Sequence, residues 1–369
     1  MNFSPRIQES CARNARRRAA LMLALALFAL MIFPAAATGQ QQNRAAAELF
    51  AVLPDGAFGP EGLIVGPDDN VYVASFGFNS AGAATTSGQL YVFNPEGHLI
   101  RQVTIAGSSP HQLGIAFQPV TGALLVADFG AGTVLSVDPV TGHSSVFMTV
   151  TGSSGLNGIT FDQSGNVYAS DSFQGIIWKT GPHGGTGTAW VTDALLTTAG
   201  VPPFGANGMQ FSADGKTLFV ANTGNDTIVQ IPVTNGTPGK PSVFVNSING
   251  ADGLVIDRKG NLWVAGNQAD EIDVVSPSGK LLAKMGDFNG VDKNGLPHGL
   301  LFPASLDFSR DGKFLYVTNL ALDLRLFGLP EAVDSQACAA VRRYTVSRLR
   351  TKFRALDGAG KDKDNDGEK

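Results

Sequence analysis

One phrase recurs six times along this chain, and nothing else limits its possible folds as strongly. Each copy runs from a small or polar residue through an alternating apolar stretch and a Gly- or Asp-rich turn. A second apolar stretch then ends near Ala. The copies are EGLIVGPDDNVYVAS from Glu61, LGIAFQPVTGALLVAD from Leu113 and NGITFDQSGNVYASD from Asn157. NGMQFSADGKTLFVAN from Asn207, DGLVIDRKGNLWVAG from Asp252 and SLDFSRDGKFLYVTN from Ser305 complete the set. With Gly62, Gly114, Gly158, Gly208, Gly253 and Leu306 as the second residues, successive copies lie 44 to 53 positions apart. A period of that size built from short strands marks a radial or stacked array, so the chain is read as repeats before anything else.

Two further apolar stretches follow each phrase. Third strands are expected at 89–93, 133–137, 175–179, 227–231, 271–275 and 341–346, and fourth strands at 99–105, 145–150, 188–191, 242–245 and 281–285. Their alternation suits strands with one buried face. Four strands in each of six repeats make an all-β, six-bladed β-propeller over residues 45–350, a design that leaves only short protected edges. The sixth repeat lacks a fourth strand, while a spare one, ELFAVL at 48–53, precedes the first phrase. The N-terminal strand is therefore expected to complete the last blade and close the ring, which removes an exposed edge.

The ends read differently. Arg13, Arg16, Arg17 and Arg18 precede an apolar run over 19–33, and Ala35 to Ala37 offers a small-residue cleavage point. That is the layout of a signal peptide over residues 1–37, and the run is short for a membrane span of roughly 20 residues. A periplasmic or secreted protein is expected, with no membrane contact after cleavage. Cys11 would leave with the signal, so Cys338 could form no intrachain disulfide. The polar stretch 357–369 is expected to be a disordered tail. Charged residues are 16% of the chain and the net charge is −4, which argues against nucleic-acid binding. A monomer is expected.

The first residue of each phrase varies more than its frame. Glu61, Asn157, Asn207 and Asp252 stand at equivalent points of the first, third, fourth and fifth repeats. Pseudo-symmetry aims them at one spot near the axis, on the face that also carries the long connections 76–88, 194–206, 286–304 and 319–340. Long loops on a rigid scaffold are where function collects. Two carboxylates and two amide oxygens form an all-oxygen set suited to a hard divalent ion such as Ca2+, and no aligned His or Cys points to zinc. Asn-Gly and Asp-Gly are also common turn dipeptides, but that reading leaves Glu61 unexplained.

On these residues the chain resembles the superfamily of senescence-marker-protein, gluconolactonase and luciferin-regenerating-enzyme proteins, with paraoxonase and diisopropylfluorophosphatase as more distant relatives. The resemblance spans 48 to about 350. Its most specific points are Glu-Gly in the first repeat, Asn-Gly in the third and fourth, and Asp-Gly in the fifth. It implies metal roles for Glu61, Asn157, Asn207 and Asp252, and a base or nucleophile role for Asp252. An exported, calcium-dependent hydrolase of the lactonase or esterase type follows, acting on a small-molecule lactone or ester. A bound cation would polarise the carbonyl and steady the oxyanion. Phosphotriester hydrolysis fits equally well.

Sugar-lactone members often carry Arg two positions before the third-repeat Asn, where this chain has Gly155. Phe76, Phe129, Phe173 and Phe204 flank the expected site, and if they line it, a hydrophobic substrate fits; packing between blades is their other role. His111 and His298 are candidate catalytic proton carriers on the same face. Two other classes stay open: a non-catalytic, NHL-like propeller that binds protein or glycan, and a metal-dependent lyase, which would need a His near the ion.

Overall fold

The computed structural model describes residues 44–351, so the signal-peptide segment 1–37 and the tail 357–369 lie outside the described residues. The described chain is all-β, with short helical turns at Ala194–Leu196 and Leu324–Phe327 and one short α-helix, Ser335–Ala340. No helix among the described residues is long and apolar enough to cross a membrane.

The strands form antiparallel meanders in chain order. The first contains Pro60–Val65, Val71–Ser75, Gln89–Phe93 and Leu99–Thr104. The second contains Gln112–Phe117, Leu124–Asp128, Thr133–Val137 and Ser144–Thr149; the third Leu156–Phe161, Val167–Asp171, Ile176–Gly181 and Gly184–Thr192. A short parallel pairing of Met148 and Thr149 with Gly185 and Thr186 joins these two into one eight-stranded sheet. The fourth is built from Ala206–Phe211, Thr217–Asn222, Thr227–Thr234 and Ser242–Asn246, and the fifth from Ala251–Ile256, Leu262–Gly266, Glu271–Val275 and Leu281–Met285. The sixth has Pro303–Phe308, Phe314–Asn319 and Thr345–Arg350, and Glu48–Val52 lies antiparallel against the last of these, with Glu48 opposite Arg348 and Val52 opposite Thr345.

Burial explains the sequence pattern strand by strand. The second strands of the first, second, third and fifth meanders are buried along their whole length. Covered on both faces, they read as continuous apolar runs. The outermost strands, such as Leu99–Thr104, are half exposed and alternate. Buried apolar residues gather into clusters that each straddle two successive meanders; Tyr72, Leu90, Ile115 and Leu124, for example, join the first to the second. The cluster joining the sixth to the first includes Leu63, Tyr91, Phe302, Tyr316 and Val346, and takes in Phe50 from the N-terminal strand and Leu53 just after it.

The first strands stack closely against one another, and this is why the phrase needs its glycine. A Cβ placed on Gly158 would lie 2.6 Å from the Asn207 carbonyl oxygen, one on Gly208 2.7 Å from that of Asp252, and one on Gly253 2.6 Å from that of Ala304. Real Cβ atoms do not approach backbone so closely, and only glycine fits without a shift of the strands.

Two expectations need correction. Pro303 pairs with Asn319 as Pro60 pairs with Ser75 and Ala251 with Gly266. The residue equivalent to Glu61 and Asp252 in the sixth meander is therefore Ala304, not Ser305, and Ser305 stands where the other copies have Gly. The third strand of that meander is Thr345–Arg350 rather than 341–346, because Ser335–Ala340 is helical and the chain becomes extended only after it.

Candidate active site

Glu61, Asn157, Asn207 and Asp252 sit near the start of the first strands of their meanders, and all four line one open pocket. Thr223 and Asn267 join them among the polar lining, and Phe76, Leu113, Pro202, Phe204, Phe302, Leu320 and Leu322 supply the apolar wall. The long connections build much of that wall: Pro202 and Phe204 come from the segment before the fourth meander, and Leu320 and Leu322 from the segment after Phe314–Asn319.

The four polar side chains are 3–5% exposed. Asn157 donates its amide N–H to Ser172 Oγ at 3.3 Å and Asn207 to Thr223 Oγ1 at 2.9 Å. Those hydroxyls are in turn anchored on the backbone of the next strand, Ser172 to the Ala206 carbonyl and Thr223 to that of Ala251, both at 2.8 Å. With one amide N–H of each Asn held by a hydroxyl, the orientation of both amides is fixed and their oxygens can serve as acceptors or ligands. Asn267 donates to Asp252 Oδ2 at 3.0 Å. Three buried oxygens of the lining have no hydrogen-bond partner: Glu61 Oε2, Asp252 Oδ1 and Asn267 Oδ1.

Burial is the main cause that raises the Asp252 carboxyl to about 7, while the amides of Asn267 and Asn207 pull it the other way. Glu61 is pushed well above the carboxylate range, first by burial and then by the charge of Asp252. Without a positive partner, two carboxylates in one buried pocket hold protons that free carboxylates would release. The orphaned oxygens, the amide oxygens and the absence of any amine or guanidine in the lining make a donor set that fits a hard divalent cation. Among the described residues no group of three or more His, Cys, Asp or Glu side chains is placed to hold a metal. A cation here would depend on amide oxygens as well as on the two carboxylates.

The histidines stand apart from this lining. His111 packs against Phe76 and Phe78: its Nδ1–H donates to the Phe76 carbonyl oxygen at 2.6 Å, and its ring stacks on Phe78 at 4.8 Å. His298 is half exposed on the strand Pro297–Gly299, 3.9 Å from Asp292 Oδ2. Neither lines the pocket.

Sequence reasoning missed Thr223 and Asn267, although a signal existed. Aligning the residue after each second strand gives Phe76, Phe129, Ser172, Thr223, Asn267 and Leu320. Phe76, Thr223, Asn267 and Leu320 line the pocket and Ser172 holds Asn157. The residue just before contributes too. Asp171 accepts N–H groups from Gly155 and Phe173 at 3.1 Å each, and the indole N–H of Trp178 at 3.0 Å.

The family model described as the SMP-30/Gluconolactonase/LRE-like region matches residues 108–286. Among solved structures, a luciferin-regenerating enzyme is similar at 17% identity and TM-score 0.59, over 83% of this chain and 95% of that one. A calcium-binding protein, regucalcin, from Agrobacterium tumefaciens is similar at 18% identity and TM-score 0.58, over 83% and 93%. A streptogramin B lyase follows at 14% identity and TM-score 0.53, over 84% and 99%. At these identities the likeness is one of fold. No curated protein sequence matches the chain significantly.

Proposed function

For a chain that carries an SMP-30/gluconolactonase/LRE-like region, we propose a divalent-cation-dependent hydrolase of the lactonase or esterase type. The observation that carries this reading is the meeting of Glu61, Asn157, Asn207 and Asp252 in one pocket with carboxylate oxygens left unpartnered. Glu61, Asn157, Asn207 and Asp252 would hold the ion, with calcium as the first choice for an all-oxygen set. When bound, the ion supplies Lewis-acid polarisation of a carbonyl and stabilisation of the negative charge that forms on its oxygen.

The protein's own groups divide the remaining work. Asp252 Oδ1 has no hydrogen-bond partner in the protein, which would let this carboxylate accept a proton from water or attack directly. Asn267 holds the other oxygen and fixes the rotamer. Ser172 and Thr223 orient the two amides. The apolar wall limits water around the reacting group, which strengthens every charge interaction inside.

The same reading includes a six-bladed propeller closed by Glu48–Val52; the cyclic succession of buried clusters and the pairing with Thr345–Arg350 support it. Export to the periplasm or medium is proposed from the arginines and apolar run ahead of Ala37, and mass measurement of the mature N-terminus tests it.

The central experiment pairs metal analysis of purified protein with a panel of lactones, aryl esters and phosphotriesters. At least one class is expected to be hydrolysed in a chelator-sensitive way. Asp252→Asn keeps size and one oxygen ligand but removes charge and basicity, so turnover should fall by at least about 100-fold with excess calcium present. Near-normal turnover of that variant would refute the assignment of Asp252. Binding of a small molecule with no turnover of any class would move the chain to the non-catalytic reading.

A further inference from the structure

We infer that the mouth of this pocket is a binding subsite for an apolar alkyl or aryl substituent, so that the chain takes hydrophobic lactones or esters rather than polyhydroxylated ones. The inference rests on the hydrolase reading for its chemistry but not for the binding it requires.

Aromatic rings in mutual contact lead from the pocket lining to the exposed ring of Phe173. Phe76 and Phe204 line the pocket itself. Phe129 bridges them, 6.0 Å from Phe76 and 5.9 Å from Phe204, centre to centre. Phe173 meets Phe129 edge-on at 5.2 Å and stacks on Phe204 at 6.1 Å. It remains 50% exposed, a large apolar surface beside the pocket that a ligand could cover. Such geometry lets rings accept another flat or aliphatic group with little rearrangement.

Gly155 shows what this arc replaces. A Cβ at that position would lie 2.7 Å from Phe173 Cδ2 and 2.9 Å from Phe129 Cε2. The two rings fill the space that a side chain at 155 would need, so no charged or hydrogen-bonding group can reach the mouth from there without displacing both. Asp171 accepts the backbone N–H groups of Gly155, Phe173 and Gln174 at 3.0–3.1 Å, which holds Phe173 and Gly155 to one buried carboxylate.

The chemistry of the lining then selects the substituent. Its polar groups are Glu61, Asn157, Asn207, Thr223, Asp252 and Asn267, and several of their N–H and hydroxyl groups are already engaged with one another or with backbone. No Lys, Arg or His belongs to the lining. Hydroxyls of a sugar lactone pressed against the rings would lose hydrogen bonds to water without replacement. An alkyl or aryl group would gain by leaving water.

The test compares δ-dodecalactone with glucono-δ-lactone on the metal-loaded protein, for the wild type and for Phe173→Ala and Phe129→Ala. The wild type should prefer the alkyl lactone in kcat/KM. Each variant should lower the ratio of the two values by about 10-fold, the scale on which an apolar pocket discriminates. Phe173→Leu, which keeps most of the bulk, covers the case in which an alanine variant fails to fold, and melting curves identify that case. Preference for the sugar lactone, or a ratio unmoved in folded variants, overturns the inference and leaves the hydrolase reading intact. If neither lactone is hydrolysed, the ester and phosphotriester arms of the panel decide the hydrolase reading, and calorimetry with the unreactive lactam of the same alkyl length decides the subsite. Binding weakened about 10-fold by Phe173→Ala upholds it, and no binding or unchanged binding overturns it.

Discussion

Asp252 and Asn267 show how finely single residues set this site. Asp252 is buried, which favours its protonated form, while the Asn267 amide donates to Oδ2 at 3.0 Å and favours the ionised one. Removing that donor leaves burial less opposed. Asn267→Leu is therefore expected to move the acid limb of the kcat/KM profile to higher pH by about one unit, an effect of the size a lost hydrogen bond to a carboxylate produces. Asn267→Gln should return it part of the way. A variant whose rate falls at every pH without a shift of the limb would show that Asn267 only supports the fold. Glu61, Asn157, Asn207 and Asp252 were legible in the sequence because they interrupt an otherwise constant frame with oxygen-bearing side chains. Asn267 was not, since it lies fifteen positions after Asp252 in the chain and meets it only because Ala251–Ile256 and Leu262–Gly266 run antiparallel.

At the scale of the element, the phrase is a hairpin with a built-in turn and a built-in spacer. Asp162 accepts N–H bonds from Ser164 and Asn166, the Asn166 side-chain amide and the Tyr168 hydroxyl. Asp257 repeats the device with Lys259, Asn261 and the Trp263 indole. The glycine after the variable first residue of the phrase is the spacer. Gly158→Ala would press a methyl group against the Asn207 carbonyl and the Gly208 Cα, which lie 2.6 and 3.1 Å from the ideal Cβ position. A loss of about 1–3 kcal/mol, the usual range for overpacking, is expected in denaturant unfolding. An unchanged midpoint would mean that the stacked strands are less constrained than their spacing implies. The spacer also explains the misplaced register of the sixth copy. Ser305 replaces the glycine there, so the sequence lacked its marker, and only the pairing of Pro303 with Asn319 reveals the one-residue offset.

Over the whole molecule, buried carboxyls give the ion-free protein a distinctive response to pH. Burial raises Asp252 and Asp270 to about 7 and Asp273 and Asp307 to about 6, from an ordinary value near 3.8. Each therefore holds a proton in the folded state that the unfolded chain releases between about pH 4 and 7, so stability falls as pH rises through that window. Turn aspartates act in the opposite sense. Asp311, held down to about 2 chiefly by the Lys313 side chain, contributes stability that disappears as pH drops below about 4. A Tm series on chelated protein should peak at about pH 4–5 and decline towards pH 8. Calcium should raise Tm more at pH 8 than at pH 5, because ligand carboxylates must be deprotonated to bind it. A flat profile with no calcium effect would contradict both the burial of these groups and the proposed ion.

The sequence by itself determined the all-β repeat, the extent of several strands to the residue, as at Glu271–Val275 and Leu281–Met285, and the equivalence of Glu61, Asn157, Asn207 and Asp252. Those features depend on periodicity and local turn chemistry, which any one repeat displays. Only the tertiary structure decided that His111 is tied to the Phe76 carbonyl, and that Phe129 and Phe173 occupy the space beside Gly155. These are contacts between loops of different repeats. No period in the chain encodes them, because each loop differs in length and the packing of one against the next is settled only when the strands beneath them stack.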